Sequence, residues 1–347
     1  MKKVKIIPFQ VKIVCTNINI RMVNYHYKKE KYPYKLGIMT VMKGEYRKMN
    51  KKISGRRRVK PGDVGNYMLF VGPTMLLFSL LFLFPLVSEI FYSFTNWNGI
   101  DPTFKIIGIK NYLRAVKDGT YWTSFWFTIK FSVFVVVISN LIGFAWAYVL
   151  SGDIPYKNFW RALIYAPRII GGVVLGFLWR FIFQNVFVQF GTWTGIRWFS
   201  QQWFTTPESS FWALVIVMTW SLSGYLMIIY NSGLAAISKD YYEAATVDGA
   251  SKWTTLKSIT LPLLKGTTTR CLFIAINWAM LLYDTNISLT NGNPYRTSEG
   301  VMMNIYATAF RSNQISYGAA KSVLFILVLL MVSFGQMKLT SRNEVSL

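Results

Sequence analysis

The chain has 347 residues, 53% of them hydrophobic and only 15% charged, where an ordinary soluble domain carries about 25% charged residues. Its formal charge of +24 comes from 38 Lys and Arg against 14 Asp and Glu, but the basic residues collect beside apolar stretches rather than over a polar surface, which argues against nucleic acid as a partner. Two cysteines, Cys15 and Cys271, exclude a disulfide framework, a four-thiolate zinc site and an iron-sulfur cluster, and the single histidine, His26, excludes most His-based catalysis, so no metal or redox cofactor is expected in this chain.

Residues 1–60 read as a basic N-terminal extension. Within it, residues 1–48 mix basic and aromatic side chains without a sustained amphipathic period or a signal-peptide cleavage pattern. Two readings compete for them: a cytoplasmic tail lying on anionic lipid, or upstream sequence translated from a start codon set too early. Met49 favours the second, since residues 49–60 form a short basic leader sufficient to orient a first span.

Residues 61–343 read as one membrane domain, with a short tail at 344–347. A helix needs about 20 mostly apolar residues to cross a hydrocarbon core of roughly 30 Å, because lipid offers no partner for backbone N–H and C=O groups. Six stretches qualify, at about 67–92, 126–150, 162–183, 211–234, 268–289 and 319–339. The fold class is therefore all-α, a polytopic bundle of six transmembrane helices. The fifth stretch is the weakest, since Asn277, Asp284, Thr285 and Asn286 interrupt it. An arrangement with both termini inside puts 27 basic residues on the cytoplasmic side and seven outside, but 9 against seven without the N-terminal stretch, so the orientation rests on the basic run Lys51–Lys60 beside the first span.

Charged and small residues inside the spans invite specific readings. Lys130, Arg180 and Lys321 lie near span ends and read as side chains reaching for headgroups. Arg168 lies nearer the middle of the third span, where pairing with Asp284 is an alternative. Gly171, Gly172 and Gly176 suit close helix contact, assigned to a partner subunit. Residues 185–207 outside are dense in aromatics, and read as an interfacial helix, as part of a landing surface for an external protein, or as both.

Between the fourth and fifth spans a polar segment, about 236–266, is longer than a helix hairpin needs. Ser238 can cap a short helix through Ala245, Gly249 can end it, Trp253, Leu256 and Ile259 space an apolar face on a second helix, and Pro262 breaks or kinks the chain before the fifth span. On physical grounds alone it reads equally as an amphipathic loop at the headgroups.

The residues themselves say more. Glu243-Ala244-Ala245, Gly249, Ile259, Leu261 and Pro262 match the EAA loop of ABC importer permeases, and Asp248-Gly249-Ala250 with Trp253 resembles its carbohydrate-importer version. The resemblance covers most of 65–343, through Asn158-Phe159-Trp160-Arg161-Ala162-Leu163, Trp179-Arg180-Phe181, Leu289 through Pro294, Ile305-Tyr306, Ala309-Phe310 and Tyr317-Gly318-Ala319-Ala320. The chain is similar to the larger maltose-importer permease without its extra spans and external domain. Asn293 departs from the family's usual Gly, and Arg168 stands where a neutral residue is common.

The resemblance implies a permease subunit of an ATP-driven carbohydrate importer in the plasma membrane. It implies that Tyr242, Glu243, Ala244, Ala245, Asp248 and Gly249 dock a separate cytoplasmic ATPase, and that this contact converts ATPase closure into rotation of the spans. The chain has no Gly-x-x-x-x-Gly-Lys-Ser/Thr loop, so ATP and Mg are expected on that ATPase. The implied partners are a second homologous permease, two ATPase subunits, an extracytoplasmic solute-binding protein, the lipid bilayer and a carbohydrate substrate, with no nucleic acid. A sugar pathway needs hydrogen-bonding groups and aromatic faces at membrane depth. Trp220, Tyr225, Asn277, Tyr283, Asp284 and Asn286 are the candidates, Tyr225 falling where the larger maltose permease has a sugar-contacting tyrosine.

Three rivals stand beside this reading. A related polyol or glycerol phosphate as cargo fits the same subunit. A self-contained secondary transporter would show inverted repeats and helices broken at midspan, neither of which is evident, and would leave the Glu243 loop unexplained. A membrane-anchored enzyme would need clustered acid, base or metal ligands, whereas Glu243 and Asp248 are the loop's only close carboxylate pair and no His stands near them.

Overall fold

A computed structural model describes residues 61–341; the expectations for residues 1–60 and 344–347 lie outside them, apart from the domain's start at 61. The chain divides into two compact units between Thr74 and Met75. The first contributes the opening turns of helix α1 (Pro61–Phe78). The second, from Met75 onward, holds the other described helices.

After α1, a π-turn at Ser79–Leu83 leads into α2 (Phe84–Ser93). Pro85 explains the turn, because it has no N–H to offer the preceding coil, and Phe84 N–H reaches back to Ser79 O. Large side chains from Met75 through Leu83 stay exposed, as lipid-facing or partner-facing residues should. A short helix α3 (Lys110–Val116) precedes α4 (Gly119–Ser151), which starts seven residues before the expected span. Asp118 sets that start: its carboxylate accepts from Thr120 N (3.0 Å) and Tyr121 N (3.2 Å), capping two otherwise unpaired donors.

The expected third span is divided. Helix α5 (Lys157–Ile169) is amphipathic and stops where Ile170 and Gly171 turn extended; α6 (Gly172–Phe181) then begins the apolar span, which continues through a π-turn and α7 (Phe187–Thr194). Helix α8 (Arg197–Ser200) folds back on α7 at Gly191, where a side chain would meet the backbone of Phe199 and Ser200. The aromatics here pack on one another, Phe183 on Trp203 at 4.4 Å and Phe187 on Phe199 at 5.2 Å, so much of the expected interfacial belt is a local core, while Trp193 remains exposed.

Helix α9 (Pro207–Ala236) opens with a capping box between Thr206 and Ser209. It is the most buried of the long helices described and packs along α4. Gly143 permits the approach, since a Cβ there would lie 2.9 Å from Leu226 Cβ and 3.0 Å from Ser223 O. Tyr230 donates to Asn140 Oδ1 across the same interface at 3.0 Å.

Beyond α9 come α10 (Lys239–Val247), α11 (Lys252–Thr255), a π-turn, α12 (Leu261–Leu263) and α13 (Lys265–Met280). The axis bends by 67° between Leu263 and Lys265, next to Pro262. The chain breaks again at 281–283 before α14 (Asp284–Leu289). The expected fifth span is thus a broken helix, which corrects the reading that no helix is broken at midspan. Helices α15 (Val301–Tyr306) and α16 (Ile315–Ser341) complete the bundle. Among the described residues, five helical segments are long and apolar enough to cross a membrane, six if the bent pair counts as one span.

Two cluster readings are corrected. Gly172 and Gly176 pack on α14 of the same chain, where Cβ atoms would lie 2.9 Å from Asp284 Cβ and 2.9 Å from Thr285 O; their small size serves an internal contact. Lys321 does not reach for headgroups. Its side chain is 2% exposed and pairs with Asp118 at 2.8 Å, donating also to Asn304 Oδ1 and Thr308 Oγ1 at 2.9 Å each. A buried ammonium needs such a set of acceptors to offset lost hydration. Lys130 remains exposed, its ammonium 4.8 Å over the Phe211 ring.

Candidate functional site

Two places matter, the polar loop before the bend and a cavity between α5, α6, α13 and α14. In the loop, Ser238 caps α10 by accepting from Asp240 N at 3.4 Å. The helix runs two residues past Ala245 and closes through Gly249 N to Thr246 O (3.1 Å) and Ala250 N to Ala245 O (2.9 Å). Gly249 has φ +68°, the left-handed conformation that a Cβ disfavours, in otherwise open space. Ser251 caps the next helix by accepting from Thr254 N at 3.2 Å.

The predicted docking residues divide between two faces. Glu243, Ala244, Asp248 and Gly249 are exposed, together with Tyr241 and Val247, the latter 87% exposed. Ala245 is buried, and Tyr242 packs inward with its hydroxyl 3.4 Å from Thr260 Oγ1, bracing the loop against the following π-turn. Trp253, one of the three residues expected to space an apolar face, is exposed. Tyr241 and Val247, not among the predicted docking residues, share the exposed surface of α10. With Ala244 and Asp248 they fall at i, i+3, i+6 and i+7 on one helical face, a spacing that the sequence did contain.

The cavity, about 360 Å³, is lined by Tyr165, Arg168, Ser221, Trp278, Tyr283 and Asp284 among others. The Arg168 guanidinium stacks 3.7 Å over the Trp278 ring and 5.4 Å from that of Tyr225. Such a stack fixes a planar cation while leaving its N–H edges free to donate. Among the described residues the ion pairs are Arg296 with Glu299 and Lys321 with Asp118, so the alternative pairing of Arg168 with Asp284 is not formed.

The other pathway candidates scatter. Trp220 lies edge-to-face with Trp179, ring centroids 5.2 Å apart, and is partly exposed. Asn277 donates to Phe273 O (2.8 Å) and to Ser333 Oγ on α16 (3.4 Å), a bond between helices. Asn286 is wholly buried, donating to Ser298 O at 2.8 Å and accepting from Thr290 Oγ1 at 2.6 Å, so it braces the turn after α14. Of the six, Tyr283 and Asp284 line the cavity and Tyr225 adjoins its arginine. Trp278, the platform beneath Arg168, was legible only as one more aromatic in a polar span.

Comparison with known proteins fits this architecture. Residues 139–343 match the family described as binding-protein-dependent transport system inner membrane component. The chain is 39% identical over 282 residues to the probable starch degradation products transport system permease protein AmyD of Thermoanaerobacterium thermosulfurigenes, covering 81% of this chain and 96% of that protein. It is 29% identical over 266 residues to the multiple sugar-binding transport system permease protein MsmF of Streptococcus mutans, covering 77% and 92%. A chain of a bacterial ABC transporter that imports the acidic polysaccharide alginate shares the fold, with TM-score 0.70, 19% identity and coverage of 81% and 98%. The family match spans more than half of this chain, a relative 39% identical covers 81% of it, and the chain belongs to the binding-protein-dependent transport system inner membrane component family.

Proposed function

We propose that this chain is a membrane-spanning permease subunit of an ATP-driven importer for a carbohydrate, with six spans counting the bent helix as the fifth, and both termini inside. The observation that carries the reading is α10, a capped helix presenting Glu243, Ala244, Val247 and Asp248 to the surface and closed by Gly249 in the left-handed conformation. A short exposed helix with small and acidic side chains suits a cleft on a separate ATPase. Ala244 allows close backbone approach and Glu243 offers a carboxylate to a basic group. Tyr242 and Ala245 support that surface from behind, transmitting force to Thr260 and so to the bend that precedes α13.

A carbohydrate as cargo is supported by the relatives, whose names refer to starch degradation products and multiple sugars. The cavity chemistry agrees, since Arg168, Tyr225, Tyr283 and Asp284 supply donors, acceptors and ring faces together. The remaining partners in this reading are a second homologous permease, two ATPase subunits and an extracytoplasmic solute-binding protein. ATP and Mg reside on the ATPase.

Purification of the tagged chain from its native membrane, with mass spectrometry of the proteins that accompany it, tests the reading. A Walker-loop ATPase and a second permease should accompany the unaltered chain, and Glu243→Ala with Gly249→Val should lose the ATPase alone. A chain that purifies without either and carries solute in the absence of ATP would refute it.

A further inference from the structure

A second cavity, about 480 Å³, shares Tyr283 with the first and lies among the ends of α3 and α4, the turn after α14, α15 and the start of α16. Its volume is in the range of small-molecule sites, roughly 300–1,000 Å³. Four cations line it, Arg114, Arg296, Arg311 and Lys321, against two carboxylates, Asp118 and Glu299. The carboxylates are already committed: Glu299 grips Arg296, with Arg296 Nη2 to Oε1 at 2.8 Å, and Asp118 holds Lys321. Arg114 and Arg311 are left with no ion-pair partner among the described residues.

Both side chains are exposed, and Arg114 is placed by a ring beneath it. The Arg114 guanidinium carbon lies over the Tyr317 ring, 4.0 Å from its centroid, and the Tyr317 hydroxyl is itself anchored by donating to Asp118 at 2.8 Å. A stacked guanidinium keeps its N–H fork free in the ring plane, the geometry that meets a carboxylate through two parallel bonds. Arg311 stands one turn beyond Tyr306, whose ring packs on Tyr283 at 5.4 Å and on Phe310 at 5.0 Å, forming an aromatic wall. Gln314 adds an acceptor, since its Oε1 is buried without a hydrogen-bond partner.

We infer that this cavity is a binding site for a carboxylate-bearing sugar, a hexuronate or the uronate end of an acidic oligosaccharide. The carboxylate is met by Arg114 and Arg311, the ring's apolar face by Tyr283 and Tyr306, and a hydroxyl donates to Gln314 Oε1. The choice of a sugar over another carboxylate rests on the carrier reading above; the cationic site does not.

Calorimetric titration of the purified complex in nanodiscs with glucuronate, glucose and acetate tests the inference. Glucuronate should bind saturably at one site, with glucose silent and acetate at least about tenfold weaker, because acetate forgoes the ring contacts. Arg311→Gln should weaken glucuronate binding by about tenfold or more, and Arg114→Lys, which keeps the charge but not the fork, by several-fold. Absence of saturable glucuronate binding, equal binding of acetate, or binding indifferent to Arg311→Gln would each overturn it. Uptake of a neutral maltodextrin by the same preparation separates the two readings. Import that persists without glucuronate binding overturns only the uronate site, whereas import that needs no ATP overturns the carrier reading.

Discussion

Removing either partner of the Asp118 and Lys321 pair should destabilise the bundle, and unequally. Lys321→Met leaves a carboxylate whose side chain is 18% exposed and still accepts from Thr120 N, Tyr121 N and the Thr120 and Tyr317 hydroxyls. Its loss belongs at the low end for breaking a buried pair, about 3 kcal/mol. Asp118→Asn leaves an ammonium that is 2% exposed with only the neutral acceptors Asn304 and Thr308, and belongs at the high end, about 4–5 kcal/mol. The double variant restores neutrality and should lose clearly less than the sum, an interaction energy of at least about 2 kcal/mol. Unfolding by SDS in mixed micelles, followed by near-ultraviolet circular dichroism, measures all three. Additivity within about 0.5 kcal/mol, or Asp118→Asn matching the unaltered protein, would refute the view that this pair ties α4 to α16.

Other expectations concern the loop, the helix contacts and acid. Gly249→Val forces a branched side chain into φ +68° at a strain of about 1–2 kcal/mol, and should abolish ATPase co-purification while Gly249→Asn retains it. Gly176→Ala drives a Cβ to 2.9 Å from Thr285 O, so SDS titration should show a loss of about 1–3 kcal/mol. Trp278→Ala removes the platform of Arg168, and because Trp278 is 47% exposed the contact is of about 0.5–1 kcal/mol, so the KM of uptake should rise by about 2–5-fold, with the chain still folded. For acid, burial by itself raises the Asp118 carboxyl, but hydrogen bonds from Lys321, Thr120, Tyr317 and the Tyr121 backbone outweigh it and hold the group below the usual carboxylate range. A carboxyl depressed on folding contributes stability that is full above its unfolded value, about 3.9, and lost as pH falls below it toward the folded value. Stability should therefore fall steeply below about pH 4 in the unaltered chain and less steeply in Asp118→Asn, as pH-resolved SDS titrations would show.

How far the sequence was legible depended on whether the deciding interaction was local. Apolar stretches announced the spans because lipid and a packed interior both reward continuous hydrophobicity, and Ser238 and Gly249 announced the ends of α10 because caps act within a few residues. Asp118 is a local cap too, yet it escaped notice because hydropathy, not capping, located the second span. The fate of Lys321 lay 203 positions away from that same residue, beyond any periodicity, so the charge read as a side chain seeking headgroups. Gly172 and Gly176 were recognised as contact residues while their partner was misplaced, since small size states that a backbone comes close and not which one. The polar residues of the fifth span weakened its hydropathy without announcing the break, and each serves a different part of the helix, with Asp284 in the cavity, Asn277 bonded to α16 and Asn286 bracing the turn.

The central claim is that this chain imports a carbohydrate on energy supplied by another subunit. Uptake of labelled maltodextrin into proteoliposomes, with the complex and its solute-binding protein present and ATP enclosed on the cytoplasmic side, tests it most directly. Accumulation should require both ATP and the binding protein, and should disappear with Gly249→Val. Accumulation that proceeds without ATP, or that survives Gly249→Val unchanged, would contradict the claim.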